Sequence, residues 1–187
     1  MRQEVRLAGF GGQGIIMAGY ILGKAAGLYG GDQQAVFTQS YGPEARGGAC
    51  AAQVIVSDEP VDYPLFDEAE FLVLMSQEAA EKYGPTAKIG ATVLIDTELV
   101  DLSSVDLPDV EVLGAPFTRI AEQDFGLRIV ANIVMLGFVT AATGLVEREA
   151  AEEAIRTEVK ERFIDLNLRA FAAGLERGQQ IVAEAVA

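Results

Sequence analysis

The period of the apolar positions changes several times along this chain, and each change marks an element. Val5-Arg6-Leu7-Ala8 is a short β-like run. Gly9-Phe10-Gly11-Gly12-Gln13-Gly14 follows, and then Ile15 to Tyr29 has helical spacing with almost no charge. Strand, glycine turn and helix predict the first unit of an α/β fold, Rossmann-like in outline. Gly30-Gly31-Asp32 turns the chain into a second strand, Ala35–Gln39. A third strand runs from Ala49 to Ser57 through the alternating segment Gln53-Val54-Ile55-Val56. No crossover helix fits between the second and third strands, so the third is expected to return antiparallel. Phe71-Leu72-Val73-Leu74-Met75 is continuously apolar, as a strand buried on both faces requires. Ser76 is placed to cap a helix over Gln77–Tyr83, which Gly84-Pro85 ends. Thr92–Ile95 is a further core strand, closed by Asp96. An acidic, turn-like stretch from Leu99 to Asp109 then leads to a last strand, Val110–Leu113, which Gly114-Ala115-Pro116 breaks. Thr118–Phe125 reads as helix.

The last third of the chain is helical. Ile129 to Val146 carries no charged residue and approaches the roughly 18 residues of a membrane span. Asn132, Gly137, Thr140, Thr143 and Gly144 interrupt it, so the segment is better read as a helix buried on most sides, with Gly137 admitting a neighbouring backbone. Two amphipathic helices complete the chain. Glu147-Arg148-Glu149 opens the first, which carries Ala150, Ala154, Ile155 and Val159 at helical spacing. Leu168, Phe171, Leu175, Ile181 and Val182 form the apolar stripe of the second. No repeat, low-complexity segment or linker divides the sequence. The expectation is one domain over residues 1–187: a three-layer α/β/α fold with a mixed, mostly parallel sheet and C-terminal helices.

Composition narrows the function classes. The 187 residues are half apolar, so a sizeable core is available without staples. A net charge of −14 argues against nucleic acid as a partner. It also means that a polyanionic ligand would have to be held by a few local cations and backbone dipoles against the global field. There is one cysteine, Cys50, and no histidine. One thiol cannot ligate an iron–sulfur cluster, no ordinary zinc site can be built, and neither a Ser-His-Asp nor a Cys-His device is available. No catalytic residue and no metal ligand is therefore assigned. Cys50 reads as a small apolar packing residue. No disulfide framework exists, and Met1-Arg2-Gln3-Glu4 shows no apolar leader core, which predicts a cytoplasmic chain with no membrane segment.

Candidate chemistry lies in two glycine-rich stretches. Gly9, Gly11 and Gly14 formally satisfy G-x-G-x-x-G between a strand and a helix, a spacing that suits an anion cradle of main-chain N–H groups. A dinucleotide site also wants an acid at the end of the second strand. Asp32 precedes that strand, and its end carries Gln39 and Ser40. The pattern therefore favours a phosphate or backbone cradle over NAD, with a tight packing turn as the alternative. The second stretch is Ser40-Tyr41-Gly42-Pro43-Glu44-Ala45-Arg46-Gly47-Gly48. Arg46 is the sole cation between Lys24 and Lys82, and its glycine neighbours leave the guanidinium fork open to phosphate or carboxylate. The bland alternative is a surface pair with Glu44.

The two stretches in their order and separation, GFGGQG at 9–14 and QSYGPEARGG at 39–48, closely resemble the gamma subunit of the 2-oxoacid:ferredoxin oxidoreductases over nearly the full length. Asn132 and Gly137 fit the same pattern. The version Tyr41 to Cys50, with Asp62-Tyr63-Pro64 downstream, is most similar to the 2-oxoglutarate enzyme; the pyruvate, branched-chain and indolepyruvate enzymes are close relatives. The resemblance implies a subunit that is not catalytic alone. Its complex converts a 2-oxoacid and coenzyme A to an acyl-CoA, carbon dioxide and reduced ferredoxin, or the reverse, in anaerobic carbon metabolism. It places thiamine diphosphate, magnesium and iron–sulfur clusters on partner subunits named alpha, beta and, in some complexes, delta, with ferredoxin reached through the complex. For this chain it suggests coenzyme A at the surface formed by Gly11, Gly12, Gln13, Gly14, Arg46, Gly47 and Gly48. The reading set against it is a stand-alone Rossmann-like nucleotide-binding protein.

Overall fold

The computed structural model describes residues 1–40 and 48–186. Six strands form one sheet in the order β2-β3-β1-β4-β5-β6. They are β1 (Arg2–Phe10), β2 (Gln34–Ser40), β3 (Ala49–Ser57), β4 (Ala69–Leu74), β5 (Ala87–Asp96) and β6 (Glu111–Ala115). β1, β4, β5 and β6 run parallel to one another, whereas β3 is antiparallel to both neighbours, β1 and β2. The sheet is thus mixed and mostly parallel, with helices on both sides. The return after β2 is antiparallel as its short connection requires, but β3 does not stay at the rim. It inserts between β2 and β1, so the two glycine stretches follow strands separated by one intervening strand. The β6 ladder also continues through Gly114 and Ala115, further than the glycine suggested.

The helices are α1 (Ile15–Lys24), α2 (Gln77–Tyr83), α3 (Phe117–Phe125), α4 (Ala131–Thr143), α5 (Arg148–Glu158) and α6 (Ile164–Val186). A π-helical turn, Ala25–Tyr29, extends α1. Ser76 caps α2 through its hydroxyl, which accepts from the Ala79 amide at 3.2 Å. One core lies between the sheet and the layer containing α1 and α3 to α6, with Val5, Leu7, Val54 and Val73 facing Phe117, Phe138 and Phe171. A second core on the opposite face joins Ala8, Leu72, Leu74 and Val93 to α2. β4 contributes to both, which explains its unbroken apolar run. α4 is buried along its whole central length and is covered by protein. Among the described residues, no helix is long and apolar enough to cross a membrane.

α4 lies against α6 at backbone contact. A Cβ on Gly137 would meet the Phe171 carbonyl oxygen and the Leu175 amide nitrogen, and one on Gly174 would meet the Val134 carbonyl oxygen. The close approach expected of Gly137 is met by a second glycine on the facing helix.

On the α2 side a buried cation pins a loop. Arg6 on β1 is 5% exposed. Its guanidinium donates to the Asp67 and Phe66 carbonyls, each at 3.1 Å, and to the Thr86 hydroxyl, and it stacks over the Phe66 ring. Burial pulls its pKa down, opposed by Tyr83, Asp67 and Glu4. Arg6→Ala would leave the partly buried Phe66 and Asp67 carbonyls short of a donor and loosen the chain before β4. It is expected to lower unfolding free energy by about 2–3 kcal/mol, read as a lower urea midpoint. A wild-type midpoint would show that water replaces the guanidinium without cost.

Candidate functional site

The loop between β1 and α1 is built from glycines because its backbone demands them. Gly12 sits at φ +109° and Gly14 at φ +76°, where a Cβ is disfavoured. Gly14 caps α1 without any side-chain help. Its carbonyl accepts from the Ala18 amide at 3.0 Å and from Asn132 Nδ2 at 3.1 Å, so α4 holds the loop in place. A Cβ on Gly14 would collide with the Asn132 amide group.

The two glycine stretches meet. The Gly11 amide donates to the Gly48 carbonyl at 3.1 Å, extending the β1–β3 ladder past Phe10 and Ala49. Ser40 pairs with Ala51 at the other flank of the second stretch. Residues 41–47, which include Arg46 and Gly47, lie outside the described residues; of the flanking positions, Gly48 bonds the first loop and Ser40 ends β2, on the far side of β3 from it.

Gln13 does structural work that the spacing did not reveal. Its Oε1 accepts from the Phe10 amide at 2.6 Å and its Nε2 donates to the Met75 carbonyl at 2.8 Å. Its own amide donates to the Phe10 carbonyl at 3.1 Å. The amides of Gly11 and Gln13 are therefore engaged within the protein. Among the described residues no acceptor reaches the amides of Gly12, Gly14, Ile15, Ile16 or Met17. The open donors among the described residues are thus Gly12, Gly14 and the first turn of α1, while the amides of Gly11 and Gln13 drop out of the set read from the motif.

Two cavities of similar size flank this turn, and a smaller cleft adjoins them. The first, about 550 Å³, lies between the loop, α1 and β2, and is lined by Gly11, Gly12, Tyr20, Phe37, Gln39 and Cys50 among others. The second, about 540 Å³, runs between Met17, the 127–132 segment and the α5–α6 connection. Gly12, Gln13, Thr118 and Arg128 border the smaller cleft of about 230 Å³. Cys50 is buried, and burial pushes its thiol pKa up, so it is a wall residue rather than a nucleophile. Lys24 pairs with Glu158 at 3.3 Å where the first two cavities meet.

Asp96, fully buried at the end of β5, fixes the cleft from behind. Its Oδ2 accepts from the Thr118 amide at 2.9 Å and hydroxyl at 2.6 Å, and its Oδ1 accepts from the Glu98 amide at 3.1 Å. Burial raises its pKa, opposed first by the bonds from Thr118. The carboxylate is a positioning group for the β6–α3 turn. Asp32, the nearest acid to a ribose partner in the sequence, is exposed in the turn before β2. β3 stands between β2 and β1, so even an acid at the end of β2 would lie one strand spacing, about 4.8 Å, further from the loop than in a sheet where β2 adjoins β1. Among the described residues no three His, Cys, Asp or Glu side chains gather to hold a metal ion.

Comparison with known proteins fits this geometry. The pyruvate ferredoxin/flavodoxin oxidoreductase family model matches residues 4–177. The 2-oxoglutarate synthase subunit KorC of Methanocaldococcus jannaschii is 49% identical over 181 residues, 97% of this chain and 96% of that protein. The ketoisovalerate oxidoreductase subunit VorA of Methanothermobacter marburgensis is 35% identical over 177 residues, which are 92% of this chain but 36% of that longer protein. In structure, the gamma subunit of the keto/oxoacid ferredoxin oxidoreductase from Geobacter sulfurreducens superposes with a TM-score of 0.87 at 42% identity, covering 97% of this chain and 98% of the other.

Proposed function

The chain belongs to the pyruvate ferredoxin/flavodoxin oxidoreductase family, and from that premise we propose that it is the gamma subunit of a complex that interconverts 2-oxoglutarate plus coenzyme A with succinyl-CoA, carbon dioxide and reduced ferredoxin. One observation carries the local part of this reading. The hydrogen bond from Gly11 to Gly48 joins both glycine stretches into one surface, beside the open amides of Gly12 and the first turn of α1. That surface lies past the carboxyl ends of β1 and β2, where open α/β sheets receive ligands.

Coenzyme A, when bound, supplies the thiol that receives the acyl group and three phosphates that need neutralising. The open amides accept an anion without reorganisation, since the loop is already held by Asn132 and Gln13. Arg46, followed in the sequence by Gly47 and Gly48, would supply the side-chain cation for a phosphate. Thiamine diphosphate, magnesium and iron–sulfur clusters belong to the alpha, beta and, where present, delta subunits, and ferredoxin meets the complex there. The largely apolar lining of the first cavity, whose one acid, Glu158, is paired with Lys24, suits the pantetheine arm better than a second charged group.

The test uses the assembled complex. Affinity purification through this chain, followed by assay of several 2-oxoacids with coenzyme A and a viologen acceptor, should give the highest kcat/KM with 2-oxoglutarate. Preference for pyruvate or a branched-chain 2-oxoacid would reassign the complex within the family. Arg46→Ala is expected to raise the KM for coenzyme A at least about tenfold, the worth of one charge-assisted hydrogen bond, with subunit recovery unchanged. An unchanged KM with normal assembly would remove Arg46 from that role. Weakened co-purification instead would make the second stretch an assembly element.

A further inference from the structure

We infer that the second cavity, the apolar groove between Met17, the 127–132 segment and the α5–α6 connection, is the seat of an acidic, apolar-faced segment of the partner subunit that completes the oxidoreductase. The inference rests on the reading of this chain as one subunit of a complex. Leu127, Ile129, Val130, Phe163 and Leu166 supply most of the wall of this groove of about 540 Å³. Ile129 is 58% exposed, Leu127 45% and Phe163 39%. Met17, at the junction with the glycine loop, is exposed as well, and Phe10 stands out from the end of β1. Apolar side chains gathered in this way, around a groove and not scattered singly, mark an interaction surface.

Charge selects the kind of occupant. The chain as a whole carries −14. Within the groove the one acid, Glu158, is neutralised by Lys24 at 3.3 Å. Lys160, on the same wall, has no ion-pair partner among the described residues. Arg162 lies over the Phe163 ring at 4.6 Å, and Arg128 at the adjoining cleft reaches Glu122 only at 3.7 Å. With Arg128 paired to Glu122 and Asp165 to Arg169, the open charges of this lip are Lys160 and Arg162 against Glu161, and that local excess of positive charge on a strongly anionic chain favours an acidic segment. The same arithmetic disfavours a second copy of this chain, because two bodies of charge −14 repel as they approach.

The comparisons say which molecule brings that segment. In VorA the stretch matching this chain is 36% of one longer polypeptide, so the rest of that subunit is tethered to it. In the KorC of Methanocaldococcus jannaschii the matching stretch is 96% of the whole subunit. A unit that forms a subunit of its own, as in KorC, meets through a surface the neighbour that VorA holds covalently. The groove adjoins the glycine loop through Gly14 and Met17, which line both large cavities. A segment seated in it therefore brings its subunit against the cradle.

The experiment co-expresses the tagged chain with the thiamine- and iron–sulfur-bearing subunits of its complex and measures how much of each is recovered. Ile129→Asp should lower recovery more than tenfold with an unchanged circular dichroism spectrum. Lys160→Glu should lower it about threefold, with the loss greatest at low salt. Ile89→Asp, 79% exposed at the amino-terminal end of β5, should assemble like wild type. A photo-crosslinker at residue 129 should join an acidic stretch of a partner subunit. Should Ile129→Asp fail to fold, Phe163→Ala and Lys160→Glu decide in its place. Groove variants that assemble as well as wild type, or a crosslink between two copies of this chain, would overturn the groove assignment alone. A wild-type chain that recovers no such subunit would overturn both the assignment and the function it rests on.

Discussion

Replacing Gly174 with valine should leave no folded protein. Gly174 on α6 and Gly137 on α4 sit where the two helices touch through their main chains. The missing Cβ of Gly174 points at the Val134 carbonyl oxygen and that of Gly137 at the Phe171 carbonyl oxygen. These are backbone atoms inside helices, so no rotamer change can yield the space. Any side chain at either position drives the helices apart, towards the 8–10 Å separation of ordinary helix pairs. That movement unpacks the layer in which Phe138 and Phe171 are fully buried beneath the sheet. Overpacking costs about 1–3 kcal/mol where a side chain is the obstacle, and more where backbone is. Gly174→Ala should therefore lose about 3 kcal/mol or more, and the valine variant most of the 5–15 kcal/mol that holds a typical domain. Soluble yield and urea unfolding measure both. Gly144→Ala is the control. It also sits on α4's path, at φ +61°, but a Cβ there meets nothing within 4 Å, so it should cost only the conformational strain, about 1–2 kcal/mol. A Gly174→Val protein with a wild-type midpoint would show that the helices can cross at a wider spacing for free.

Much of this architecture is legible in the residues because each element carries its own local signal. β4 has an unbroken apolar run since both its faces meet a core, and α2 has a serine cap whose hydroxyl makes the bond its position predicts. The uncharged segment 129–146 gives a covered helix, since Asn132 and Thr140 inside it find partners in Gly14 and Leu136. Other features depend on neighbours distant in sequence and carry no local mark. The antiparallel turn of β3 follows from a short connection, but its insertion between β1 and β2 depends on which strands bury Val54 and Val56. Gly137 is readable as a close-approach site, whereas its counterpart Gly174 is hidden among ordinary helix positions. At the candidate site the glycine spacing marks the loop but not the bonds inside it, which hold the amides of Gly11 and Gln13 within the protein. The Gln13 side chain, reaching the Met75 carbonyl 62 residues on, fixes a geometry that a motif leaves free. Asp96 and Glu158 belong to the walls of the site only because β5 and α5 end there. Nothing in their own neighbourhoods of the sequence marks Asp96 as buried or Glu158 as part of a cavity wall.

The substitution Gly12→Ala separates what the loop does for the fold from what it does for a visitor. Gly12 lies at φ +109°, and a Cβ built there meets no atom of the protein within 4 Å. The intrinsic cost of the change is therefore backbone strain, about 1–3 kcal/mol. Gly31 offers a matched control, at φ +73° and equally open, but in the turn before β2 and away from both cavities that Gly12 borders. If the loop were only a tight turn, the two alanine variants would lose comparable stability and nothing else. A close approach to the Gly12 backbone predicts a different result. The Cβ would stand between the open amide of Gly12 and the anion that it faces, and would displace that group by more than hydrogen-bond geometry tolerates. Gly12→Ala should then cut kcat/KM for coenzyme A more than tenfold in the assembled complex, and Gly31→Ala should leave it unchanged. Loss of partner recovery in place of a KM effect would mean that a subunit backbone, and not a phosphate, fills the space. Equal and purely thermal effects of the two variants would strip the loop of any role beyond turning the chain, because what sets Gly12 apart from the equally open Gly31 is its place beside the two cavities.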